Sequence, residues 1–136
     1  MKPPGDKGRS RARWAMLTVF VIAWFGAFVA THLPPEDISD IHMSDKTAHC
    51  IGYGVLATLL VGTLIFFGRT RVFRIVLTLG ILLTYGAVDE LTQPLFGRWA
   101  SFWDWVADAT GVVVALAFWE TVQYCADVLR RRNRAV

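Results

Sequence analysis

Four apolar runs constrain this chain more than any other feature: Trp14–Thr31, Thr47–Phe67, Ile75–Gln93 and Phe102–Tyr124. Each is close to the ~20 residues a helix needs to cross the hydrocarbon layer of a bilayer. They predict an all-α fold, a single integral membrane bundle of four transmembrane helices. The expected division is a disordered basic N-terminal tail over 1–13, a membrane domain over 14–126 and a basic cytoplasmic C-terminal tail over 127–136. A basic segment precedes the first run, as in a signal peptide. The run is longer than a typical signal core, however, and Phe28-Val29-Ala30 has no small residue three positions before a cut, so an uncleaved helix is expected.

The formal net charge of +3 is distributed by topology. Lys2, Lys7, Arg9, Arg11 and Arg13 precede the first run; Arg69, Arg71 and Arg74 lie between the second and third; Arg130, Arg131, Arg132 and Arg134 follow the fourth. Only Lys46 and Arg98 fall on the other side of a four-helix chain. The positive-inside rule then makes both termini cytoplasmic. Arginines beside anionic lipid head groups account for the basic residues without a nucleic-acid partner. Cys50 and Cys125 sit near opposite faces and cannot form an intramolecular disulfide in this topology.

The first helix is apolar all round and ends at Leu33-Pro34-Pro35. An acidic loop follows, with Glu36, Asp37, Asp40 and Asp45; Ser39 and Ser44 are cap residues, and a short interfacial helix is expected between them. In the second helix Gly54, Thr58 and Gly62 recur every four residues, and Ala107, Gly111 and Ala115 form a matching stripe on the fourth. Small stripes let helices approach closely in lipid, so these two should pair. Pro94 ends the third helix near Gln93. Ser101 is suited to cap the fourth helix, with Asp104 at the third position of a capping box.

Ionisable groups within membrane segments are costly and each needs a reason. Asp45, Lys46, His49, Asp89, Glu90, Gln93, Arg98, Asp104 and Asp108 should all lie at the outer leaflet. Asp104 and Asp108 are near a helix N-terminus, which favours anions, whereas Asp89, Glu90 and Lys46 oppose their helix dipoles. Lys46, Arg98 and His49 are therefore expected to pair with the carboxylates across helices, with Arg98 the local cation for Asp104 and Asp108. His49 and Glu90 form a candidate acid–base pair. Tyr53, four residues after His49, could orient the histidine or a ligand; Asp45, Lys46, Asp89, Gln93, Arg98, Asp104 and Asp108 complete the binding set. His42, Asp45, His49 and the acidic pair Asp89 and Glu90 could supply zinc ligands, but no spacing is diagnostic of a metal, no phosphate loop or serine nucleophile motif is present, and no metal or cofactor is expected. Glu120, near the inner end of the fourth helix, reads as an interfacial residue paired with arginines. The helix centres carry no acidic relay, which disfavours ion movement.

Two motifs in this region resemble the VanZ-like family of small bacterial membrane proteins. One is Asp45-Lys46-x-x-His49-x-x-x-Tyr53-x-x-Leu56; the other is Asp89-Glu90-x-x-Gln93, then Gly97-Arg98, Ser101, Asp104 and Gly111. The resemblance covers roughly Asp45 to Ala115. It departs at Asp108, where the family usually has asparagine. It implies a multi-pass protein of the bacterial cytoplasmic (inner) membrane with an extracytoplasmic site linked to the cell envelope. The family's founding member is associated with low-level resistance to teicoplanin, a glycopeptide antibiotic. Two functions are consistent with the residues. One is a polar site that binds or modifies a membrane lipid head group or envelope glycolipid. The other is a non-enzymatic membrane subunit whose charged cluster only fixes helix packing.

Overall fold

The computed structural model describes residues 6–33 and 44–134. They form four helices, α1 (Asp6–His32), α2 (Asp45–Phe66), α3 (Arg71–Thr92) and α4 (Phe102–Arg134), with a 3-10 turn at Gln93–Phe96. All four are long and apolar enough to cross a membrane. Large apolar side chains also cover the outside of the bundle: Ile22 and Phe25 on α1, Val76 on α3, Val114 and Phe118 on α4 are all exposed. In water such a surface would drive association, whereas lipid solvates it. These features make the chain a multi-pass membrane protein.

Helix starts and stops follow local chemistry. Ser44 caps α2 by accepting from the Thr47 amide at 3.2 Å, and Thr70 caps α3 by accepting from the Phe73 amide at 3.4 Å. The short connection after α2 contains Gly68 at φ +69°, and Gly97 at φ +77° reverses the chain after the 3-10 turn; glycine populates this left-handed region without strain. Pro94 enters that turn at a position where a missing amide costs nothing. Helix extends further than the apolar runs at both termini. The residues from Asp6 to Arg13 and from Asp127 to Arg134 are helical, because arginine is a good helix former and an existing helix propagates cheaply. The short interfacial helix expected between Ser39 and Ser44, and His42 with it, lies outside the described residues.

α2 is the central element. It packs against α1, α3 and, most extensively, α4. Its inner face buries Tyr53, Leu56, Ala57, Leu60, Val61 and Leu64 against Leu82 of α3 and Val112, Ala115 and Leu116 of α4. The α2–α4 crossing is very close: a Cβ on Gly111 would fall 2.1 Å from the Cys50 carbonyl oxygen. A Cβ on Gly54 would meet the Gly111 carbonyl oxygen at 3.5 Å. The two small-residue stripes therefore meet where expected at Gly54 and Gly111, but Gly62 turns instead toward Met16 of α1. The closeness of α2 and α4 brings their N-terminal turns together beside the end of α3.

Candidate functional site

The start of α2, the end of α3 and the start of α4 converge, and α1 contributes its last turn. His49 is the hub. Its Nδ1 lies 2.9 Å from Asp108 Oδ1 on α4, with His49 and Asp108 3% and 0% exposed. An ionised carboxylate only accepts, so Nδ1 donates to Asp108, while Nε2 lies 4.0 Å from Asp45 Oδ1. Glu90 Oε1 is further from Nδ1, at 3.8 Å. The histidine's close partner is thus Asp108 rather than Glu90. One turn further along α4 than Asp104, Asp108 faces α2 directly.

Glu90 is held by other groups. Its Oε2 accepts from the Ser101 amide at 2.7 Å, and its Oε1 accepts from Gln93 Nε2 at 3.1 Å. This corrects the capping-box expectation for α4. In a capping box the third-position carboxylate takes the cap residue's amide; here Glu90 takes it from across the helix pair, which frees Asp104. Asp104 Oδ1 instead lies 3.3 Å from Lys46 Nζ. Arg98 does not serve Asp104 or Asp108: its Nη2 donates to both Asp45 oxygens at 2.9 Å. The expected pairing across helices exists with different partners.

Asp89 faces α1. Thr31 Oγ1 donates to Asp89 Oδ1 at 2.9 Å, and His32 Nδ1 is 3.6 Å from the same oxygen. The His32 ring stacks on Phe28 and meets Phe96 edge-on, with Nε2 2.9 Å from Thr92 Oγ1. Helix α1 is therefore not inert, as its composition suggested. Thr31 and His32 do not stand out in the sequence because they stand alone after an apolar run; the signal they carry is a histidine one turn from a proline pair, opposite an acidic helix end.

Tyr53 lies beneath His49, 1% exposed, and stacks on Tyr85 of α3 at 5.8 Å between centroids. Its hydroxyl does not orient His49; it has no hydrogen-bond partner among the described residues. The same holds for His49 Nε2 and Asp108 Oδ2. Gly86 shapes this spot. A Cβ there would meet Asp108 Oδ2 at 3.1 Å and Tyr53 Cε1 at 3.3 Å. Trp105, which donates from Nε1 to the Leu83 carbonyl at 3.1 Å, closes the same side.

Two groups bring ligand-type atoms within 4.8 Å of one another: Asp45, His49 and Asp104, and His49, Asp89 and Glu90. In the first, Arg98 and Lys46 compete with any metal ion for the carboxylate oxygens. In the second, Thr31, Gln93 and the Ser101 amide already hold three of the four carboxylate oxygens.

Beside the cluster, a cavity of about 530 Å³ lies between α1 and α3. It is lined by Trp24 and by Phe73, Val76, Leu77, Ile81 and Tyr85 among others. Tyr85 is the lining residue nearest the His49 end of α3, and it is the ring that stacks on Tyr53. No protein-family model, curated protein or solved structure matches the chain, so the resemblance to the VanZ-like family rests on its motif residues alone.

Proposed function

We propose that this is a cell-envelope protein of the bacterial cytoplasmic membrane, with both termini cytoplasmic, whose His49 cluster binds the polar head group of a lipid or lipid-linked envelope component at the outer leaflet. The observation that carries this reading is the set of buried atoms without a hydrogen-bond partner among the described residues: His49 Nε2, Tyr53 Oη and Asp108 Oδ2. Each such atom costs roughly 1–3 kcal/mol when left unsatisfied. A cluster that served packing alone would be more stable with apolar side chains of the same shape. A ligand that supplies hydrogen bonds removes the cost.

Charge narrows the ligand. Asp45, Asp89, Glu90, Asp104 and Asp108 stand against Lys46 and Arg98. Five carboxylates against two cations favour a head group with N–H or O–H donors for Asp108, and with a phosphate for the exposed Lys46. A zwitterionic head group or an amino sugar has this pattern. The apolar groove along α3 suits the attached chain, since it ends at Tyr85 beside the polar site. His49, positioned through Nδ1 by Asp108, is the group able to take up a proton at Nε2.

The alternative, a membrane module in which the cluster fixes packing, draws on the rim pairs Arg98–Asp45 and Lys46–Asp104. One experiment separates the two. The chain is expressed in a teicoplanin-susceptible host, and antibiotic susceptibility and membrane abundance are measured together. Wild type should lower susceptibility, and His49→Ala should abolish that effect with abundance unchanged. Parallel loss of abundance and effect supports the packing module; no effect from wild type removes the link to glycopeptide resistance.

A further inference from the structure

At the other end of the bundle, α3 and α4 enclose a second polar cavity of about 460 Å³. Its lining includes Arg71, Arg74, Glu120, Gln123, Asp127 and Arg131. We propose that this cavity is a second lipid site, which takes the phosphodiester of a membrane phospholipid.

Depth is the first argument. Gln123 lies nineteen positions after Asp104 on α4, about 28 Å at the helical rise. That matches the ~30 Å hydrocarbon thickness, so a bundle with the His49 cluster at one interface holds this cavity at the other. The last residues of α4 project beyond it.

Charge and geometry supply the second. Arg74 is a fixed donor: only 8% exposed, it donates from Nη1 to the Arg69 carbonyl and from Nη2 to Gln123 Oε1. Its Nε is buried and has no hydrogen-bond partner among the described residues. Glu120 pairs with Arg71 and lies 4.0 Å from Arg74 Nη2. Arg131 lines the cavity and makes no ion pair among the described residues. Three arginines against Glu120 and Asp127 leave one positive charge, which a single phosphodiester neutralises. Guanidinium groups match phosphate oxygens in bidentate geometry, with the exposed Arg131 and Arg71 beside the fixed Arg74.

The test uses the full chain in detergent and follows its thermal unfolding midpoint against added phosphatidylglycerol. In parallel arms, inorganic phosphate replaces the lipid, and Arg131→Gln and Arg134→Gln replace the wild type. Arg134 is exposed near the end of α4 and outside the cavity, so its substitution removes the same charge without touching the site. The expected result is that Arg131→Gln weakens the apparent affinity about tenfold, whereas Arg134→Gln leaves it near that of wild type. Equal effects of the two substitutions would reduce the interaction to general surface charge and overturn the proposal. Stabilisation by inorganic phosphate as strong as by the lipid would also overturn it, by making the cavity a soluble-anion site.

Discussion

Lys46 and Asp108 both carry charge in the same cluster, yet their surroundings assign them different work. The Lys46 side chain is 61% exposed and sits 3.3 Å from Asp104. Exposed pairs of this kind contribute about 0–1 kcal/mol. Asp108 is fully buried and holds the only short hydrogen bond to the His49 ring among the described residues. Lys46→Met should therefore cost less than about 1 kcal/mol of stability. Asp108→Ala should cost roughly 1.5–3 kcal/mol, because it strips a charged acceptor from a buried donor. Denaturation in mixed detergent micelles measures both; equal costs would mean that burial does not separate rim from centre. Which charged residues gather at this end of the bundle was legible in the sequence, because charges set against helix dipoles in an apolar chain stand out. Their partners were not legible. Arg98 chooses Asp45 over Asp104 and His49 chooses Asp108 over Glu90 because of how each helix is rotated about its axis, and rotation depends on residues distant in the chain.

The α2–α4 crossing governs that rotation, and two glycines at the crossing differ sharply. Gly111 faces backbone: a Cβ would lie 2.1 Å from the Cys50 carbonyl oxygen and 3.0 Å from the Gly54 amide nitrogen. Gly54 has ordinary clearance, 3.5 Å to the Gly111 carbonyl oxygen. Helices cannot absorb a backbone clash by changing a rotamer, so Gly111→Ala should separate α2 from α4, with a loss of more than the usual 1–3 kcal/mol of overpacking. Gly54→Ala should be tolerated. Membrane abundance and thermal midpoint of the two variants compare them directly, and similar behaviour would contradict the close crossing. The stripe of small residues was readable in advance, as were the caps at Ser44 and the stop at Pro94. The role of α1 was not. Thr31 and His32 acquire meaning only from Asp89, more than fifty residues away, and Gly62 turned out to serve α1 through Met16 rather than α4.

The molecule as a whole has two polar ends joined by an apolar middle. One end concentrates carboxylates around His49; the other carries arginines around Glu120. The expected orientation places the first outside and the second inside. In a background with Cys50 and Cys125 changed to alanine, Leu95→Cys, whose parent residue is 80% exposed at the His49 end, should react with a membrane-impermeant maleimide on intact cells. Asn133→Cys should react only after permeabilisation. The reverse pattern would invert the bundle and place the His49 cluster in the cytoplasm.

The central claim is that a lipid head group supplies hydrogen bonds to the buried atoms around His49. Phosphatidylethanolamine has N–H donors, and phosphatidylcholine carries the same charges without them. The decisive measurement is the thermal midpoint of wild type and Asp108→Asn in detergent with each lipid added. The account predicts that phosphatidylethanolamine raises the wild-type midpoint more than phosphatidylcholine does, and that Asp108→Asn erases the difference. Equal stabilisation of the wild type by both lipids, or a difference that persists in Asp108→Asn, would contradict it.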